Sequence, residues 1–346
     1  MAEKGSSSLK PVVPELAVAD EWLGWVADNL LAGAAVEAVV AELEVRGVPA
    51  LLVQQVVEAL QLSPVFVAAR RHALRGRRLE LMRRLLVEQR QLEFNRFEVE
   101  RRTACDAREF FGGYVATNTP VVFTDLVTRW LGFGRWSPED FAARFGEVLL
   151  DVAQGREAEP NYDQLTQRLS QKMSMRALAE AVRQVESSND FYAVAQNKNI
   201  HQPGLQRLFE EMWFPEGWLD EAHFFGAAAL WLGPKGTITP LHHDTSNILF
   251  CQVYGKKHFT LVSPLEMELS EDATSMYAAL DPESPEGQAW LAGRLVKHVE
   301  LDAGEALFIP AGYWHHVRAL SVSISVAANN LSQPNNFDWY RPGQER

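Results

Sequence analysis

Cysteine is nearly absent: the chain has two in 346 residues, Cys105 and Cys251, far apart and without a CxxC pair. That excludes a disulfide framework and a zinc knuckle, and it reads as a chain kept reduced inside the cell. Long apolar runs are missing as well. A membrane-spanning helix needs about 20 apolar residues, and the nearest approach, LLAGAAVEAVVAELEV, is interrupted by Glu37, Glu42 and Glu44. The opening MAEKGSSSLKPVVPEL has no continuous apolar core of the signal-peptide kind. The expectation is a cytoplasmic protein without a membrane partner. Positive charge is in deficit, with 33 Lys and Arg against 45 Asp and Glu and a formal net charge of -12. A nucleic-acid binder needs the opposite balance to neutralise phosphates, so no nucleic-acid partner is expected.

What the chain does have is core: 47% of its residues are hydrophobic, enough for one large or two modest domains. Residues 1–15 read as a flexible leader. Residues 16–98 read as an N-terminal helical domain, because Trp22, Trp25, Val26 and Leu30 recur at helical spacing. Gly47-Val48-Pro49 and Ser63-Pro64 punctuate that pattern into three or four helices, the last over about 65–92. This last helix carries Arg70, Arg71, Arg75, Arg77, Arg78, Arg83 and Arg84. Such a run is either a solvated face or a docking surface for an acidic partner. The same helices are the candidate surface for a homodimer.

From residue 99 to 346 the texture changes. WSPEDFAARFG opens a helix with Ser137 as N-cap, Pro138 in the first turn and Glu139 and Asp140 at its positive end. Between 225 and 330 short strands alternate with turns: AAALWLG, NILFCQVYG, HFTLVSP, KHVELDAG, EALFIPAG and WHHVRALSVSISVAA. Many short strands at even spacing predict a closed barrel or sandwich.

The chemistry concentrates at its two ends. In TPLHHDTSN, strand alternation puts His242 and Asp244 on one face and His243 on the other. An imidazole and a carboxylate on one face are part of a metal site. IPAGYWHHV supplies the missing donor, His315 or His316, with 70 residues separating Asp244 from His315. Two histidines and one carboxylate on one side of a metal leave its other positions open, the pattern of non-haem Fe(II) oxygenases.

GPKGTITPLHHD, QVYGKK and FIPAGYWHHVRAL together resemble the JmjC/cupin-like Fe(II)- and 2-oxoglutarate-dependent oxygenases. The likeness covers about residues 100–342 and is nearest the hydroxylase branch, which includes an asparaginyl hydroxylase and bacterial cupin-like relatives. It implies a mainly β fold with α elements: a double-stranded β-helix (jelly-roll) barrel with flanking helices. It implies His242, Asp244 and His315 as iron ligands and Lys257 as the partner of the far carboxylate of 2-oxoglutarate. Thr239, Tyr192 and Asn247 would be further contacts of the oxo acid. The family's asparagine six residues after the first ligand is here Ile248, and the one on the last strand is Ala327. The implied reaction is hydroxylation of a C–H bond by O2, most readily on a protein or peptide side chain, with 2-oxoglutarate decarboxylated to succinate. N-methyl-lysine demethylation, oxidation of a free amino acid and a non-catalytic binding module are the alternatives.

Overall fold

The computed structural model describes residues 20–93, 96–269 and 276–340; the leader expected over residues 1–15 lies outside them. The chain divides into two compact units that meet between Glu88 and Gln89. The sequence places the change at 98/99, because the helical pattern runs on past the point where the first unit ends.

In the first unit, α1 (Asp20–Ala32), α2 (Val36–Val45) and α3 (Ala50–Leu62) enclose Val26, Val39, Leu43, Val53 and Val56, with Trp22 and Trp25 packed against them. The fourth helix, α4 (Pro64–Gln91), buries only Phe66. Two of its arginines pair along their own helix, Arg83 with Glu80 and Arg84 with Glu88, while Arg77 donates to the Ala32 carbonyl. Such exposed pairs are worth about 0.3–0.5 kcal/mol each. Leu81 and Leu85 on α4 are 66% and 55% exposed. No single helix among the described residues is long and apolar enough to cross a membrane.

Among its described residues the second unit holds thirteen strands in chain order: β1 (Glu100–Arg102), β2 (Val121–Phe123), β3 (Leu149–Gln154), β4 (Ser170–Ser174), β5 (Phe191–Tyr192), β6 (Ala228–Gly233), β7 (Ile238–His242), β8 (Ile248–Tyr254), β9 (Lys257–Val262), β10 (Val296–Leu301), β11 (Ala306–Ile309), β12 (Trp314–Ala319) and β13 (Ser323–Ala328). A six-stranded sheet in the order β1-β2-β11-β8-β13-β6 faces a four-stranded sheet in the order β10-β9-β12-β7. Together they make the jelly-roll, and alternation along each strand sorts the side chains. Phe250, Phe259, Leu261, Leu307, Val317 and Ala327 fill the interior. Leu249, Cys251, Phe308, Ile324 and Val326 face outward from the larger sheet into a second core. That outer core includes Phe141 and Phe145 of the helix Pro138–Phe145, whose Ser137 side chain accepts from the Asp140 N–H as the sequence predicts. A third sheet, β4-β3-β5, joins the larger sheet's edge through an Ala193–Leu232 bridge.

Two glycines set local geometry that the site depends on. Gly255 turns β8 into β9 at φ +76, and a Cβ there would sit 2.0 Å from the Val322 carbonyl oxygen. Gly233 ends β6 under the ring of Tyr192, where a Cβ would come within 2.5 Å. A side chain at either place would push Lys257 or Tyr192 out of line.

Candidate metal centre

The strand registers stack the site in rows. His315 pairs with His242 across β12 and β7, and with Leu261 across β12 and β9. Two residues deeper Val317 pairs with Phe259, and two deeper again Ala319 pairs with Lys257. Lys257 therefore lies four residues below the histidine row, roughly 13 Å along the strand. A β-bulge intervenes in β7: Val317 pairs with Thr239, not with Pro240. The extra residue brings Thr239 onto the same face as His242, although strict alternation would separate positions three apart.

At the mouth, His242, Asp244 and His315 present one ligand atom each, all within 4.8 Å of one another. Asp244 Oδ2 lies 3.4 Å from His315 Nε2 and 3.9 Å from His242 Nε2. Each imidazole is oriented through its other nitrogen. His242 Nδ1 is 2.8 Å from the Pro240 carbonyl and His315 Nδ1 is 3.0 Å from the Tyr313 carbonyl. A ring that donates from Nδ1 to a carbonyl keeps its Nε2 lone pair for a metal. Burial, with His242 alongside, pushes the His315 pKa down to about 3, so the ring is neutral and its contact with Asp244 is no ion pair. Two imidazoles and a carboxylate turned toward one point are the donor set Fe(II) takes.

Two hydrogen bonds clamp the loops that bear these ligands. The Gly312 N–H donates to the Asp244 carbonyl, and the Ala311 N–H donates to Asn247 Oδ1. Asn247 Nδ2 in turn donates to Asn335 Oδ1. Its side-chain bonds thus go to the loop before His315 and to Asn335. Asn247 thus ties the ligand loops together from the place where the resemblance implies an oxo-acid contact.

At the other end of the pocket Lys257 is fully buried, and its Nζ donates to Tyr192 Oη at 2.9 Å. Burial alone lowers its pKa from 10.5 to about 7, and among the described residues no carboxylate lies beside it. A buried ammonium without a counter-ion is costly and is explained by an anion that arrives later. Burial likewise raises the Tyr192 phenol well above its usual range, so it stays protonated.

His243 and His316, the competing registers, point to the outer face. His243 packs edge-on against Trp314 at 4.6 Å, and both histidines are buried there. His316 also stands near Asp281 and Glu283 as a second possible metal group. Glu283, however, is already gripped by the Arg318 guanidinium.

Tyr277 and Arg156 are site residues that the sequence reading missed. Tyr277 stacks on His242 at 5.4 Å and its hydroxyl donates to Asp163 Oδ2 at 2.6 Å. Arg156 is 1% exposed and lies over the rings of Tyr162 and Tyr192. A tyrosine after a long polar stretch and an arginine in a turn carry no periodic signal.

Residues 107–336 match the family model described as "Cupin-like domain". Among curated proteins, JmjC domain-containing protein D of Dictyostelium discoideum is 30% identical over 244 residues, covering 63% of this chain and 53% of that protein. Lysine-specific demethylase JMJ30 of Arabidopsis thaliana is 29% identical over 273 residues, covering 76% of this chain and 61% of that protein. The human bifunctional peptidase and (3S)-lysyl hydroxylase JMJD7 is 24% identical over 251 residues, covering 63% and 78%. The chain thus spans between half and two thirds of the length of the first two relatives.

Proposed function

The chain belongs to the cupin-like JmjC oxygenase family, and from that premise we propose that it is an Fe(II)- and 2-oxoglutarate-dependent dioxygenase that hydroxylates a C–H bond on a protein or peptide side chain. The observation that carries the reading is the pairing of two features in one barrel. Three metal donors gathered within 4.8 Å of one another stand at the mouth, and a buried, uncompensated lysine stands four residues below them. A bidentate oxo acid with a second carboxylate at its far end matches both at once.

Iron with 2-oxoglutarate and O2 supplies the oxidant that places an oxygen atom on the substrate carbon, the oxo acid leaving as succinate and CO2. The chain's own residues do the rest. His242, Asp244 and His315 would hold the metal, which would supply binding places for oxo acid and oxygen beside the substrate. Lys257 and Tyr192 hold the far carboxylate, with Thr239 facing the same interior. The apolar interior of Phe250, Phe259, Leu261 and Val317 keeps water from the reacting centre. Tyr277 packs on the outer ligand and steadies its ring.

The test is succinate formation from 2-oxoglutarate by the Fe(II)-loaded chain, with and without candidate peptides. Activity that survives in His242→Ala or Asp244→Ala would remove the assignment. A second reading, N-methyl-lysine demethylation, draws on the name of the Arabidopsis relative. It uses the same site, and formaldehyde release with a methylated peptide separates it from stable hydroxylation.

A further inference from the structure

Arg156 is nearly inaccessible to solvent, yet its Nη1 has no hydrogen-bond partner. The other terminal nitrogen and the faces of the guanidinium have partners. Nη2 donates to the Ile238 carbonyl at 2.7 Å and stands 3.8 Å from Asp163, whose other oxygen accepts from Tyr277. The two ring faces of Tyr162 and Tyr192 lie 4.4 and 5.1 Å from its central carbon. A purely structural role would use those contacts and leave Nη1 facing water. Here Nη1 is sealed inside with its N–H groups unspent, and a buried charged donor of that kind calls for an acceptor.

The fold tells where that acceptor lies. Arg156 follows β3 after the left-handed Gly155, and β3 pairs with β5 at Ala153 and Tyr192. It reaches β7 at Ile238, which pairs with Arg318, one position from the Ala319–Lys257 pair and far below the histidine row. Arg156 and Lys257 thus lie at nearly the same depth and both touch Tyr192, one over its ring and one at its hydroxyl.

Resting on the oxygenase reading, we propose that Arg156 is a second anchor for the distal carboxylate of the oxo acid, which its Nη1 shares with Lys257. The carboxylate then meets a guanidinium N–H, an ammonium and a phenol, while the buried Asp163 stands 3.8 Å from the other guanidinium nitrogen.

The experiment uses the full chain loaded with Mn(II). Calorimetry measures its affinity for 2-oxoglutarate and for 2-oxopentanoate, which ends in a methyl group in place of the distal carboxylate. Arg156→Met should weaken 2-oxoglutarate by about tenfold to a hundredfold and leave 2-oxopentanoate unchanged. Arg156→Lys should lose part of the same preference, because one ammonium cannot reach both the Ile238 carbonyl and the ligand. An unchanged preference in both variants overturns the proposal, as does an equal loss for the two oxo acids, which marks a structural role. Unchanged oxo-acid binding with weakened binding of an acidic peptide to the N-oxalylglycine complex also overturns it, in favour of a substrate carboxylate. If the wild-type chain itself fails to prefer 2-oxoglutarate, the oxygenase reading fails instead, and the two failures are distinct.

Discussion

Replacing Lys257 with methionine should make the ligand-free protein more stable while crippling its hold on the oxo acid. In the folded chain burial brings the Lys257 pKa from 10.5 to about 7. At pH 6 both folded and unfolded chains carry the proton, and the buried charge costs about 5 kcal/mol of stability. Between pH 7 and 10.5 the unfolded chain keeps a proton that the folded chain has released. Stability therefore rises with pH across that window, and the remaining cost at pH 9 is about 2 kcal/mol. Methionine has no charge to bury but leaves the Tyr192 hydroxyl without the Lys257 donor, a loss of about 1 kcal/mol. The net gain should be about 2–4 kcal/mol at pH 6, shrinking to about 1 kcal/mol at pH 9. Urea unfolding at the two pH values, followed by tryptophan fluorescence, measures it. The affinity for 2-oxoglutarate should fall by roughly thirtyfold to several thousandfold, the range for truncating one member of a buried ionic pair. A variant less stable than wild type at pH 6, or a difference that ignores pH, would refute the account of Lys257 as an ammonium awaiting an anion.

Other substitutions probe the rest of the site. Asp244→Ala should lower metal affinity by at least about a hundredfold, more than loss of an outer partner does, while the unfolding midpoint of the metal-free chain stays near wild type; equilibrium dialysis with Fe(II) under argon reads this. Asn247→Ala removes a buried side chain that ties two loops, so it should cost about 1–3 kcal/mol in unfolding. It should also weaken metal binding, with the preference for 2-oxoglutarate over 2-oxopentanoate unchanged; a selective loss of 2-oxoglutarate would return Asn247 to the oxo-acid pocket. Gly233→Val should displace Tyr192 and reduce 2-oxoglutarate affinity without altering metal uptake. The homodimer proposed for the N-terminal helices is tested by Leu81→Glu with Leu85→Glu in the full chain, whose mass by light scattering should fall to that of a monomer if α4 forms the contact.

The strands of the barrel and the faces of the candidate ligands were legible because they rest on local rules, while the choice of His315 over His316 as ligand came from the resemblance. Alternation separates His242 from His243 and His315 from His316, and turn glycines such as Gly255 mark where strands reverse. The Ser137 cap and the long α4 were legible for the same reason. Thr239 reached its place by another route: resemblance put it in the site, while strict alternation would have turned it away. The bulge that reconciles the two is a pairing event between β7 and β12 and leaves no local trace. The loop contacts of Asn247 were not legible, because its position near the ligands says nothing about which neighbour its amide meets; Ala311 and Asn335 come from distant loops. Arg156 and Tyr277 enter the pocket from a turn after β3 and from the long β9–β10 connection, and only tertiary contact reveals them. The outward His243 and His316 are buried because that connection covers their face.

The central claim is that three side chains hold one ferrous ion with room left for a bidentate oxo acid. An anaerobic optical titration tests it most directly: Fe(II) is added to the full chain, then 2-oxoglutarate, and the charge-transfer absorption of an iron-bound 2-oxo acid is followed. One equivalent of iron should bind per chain and the band should grow to saturation with 2-oxoglutarate, while His315→Ala shows neither. Iron held equally well without His242, Asp244 or His315, or no band in the wild-type chain, would contradict the account.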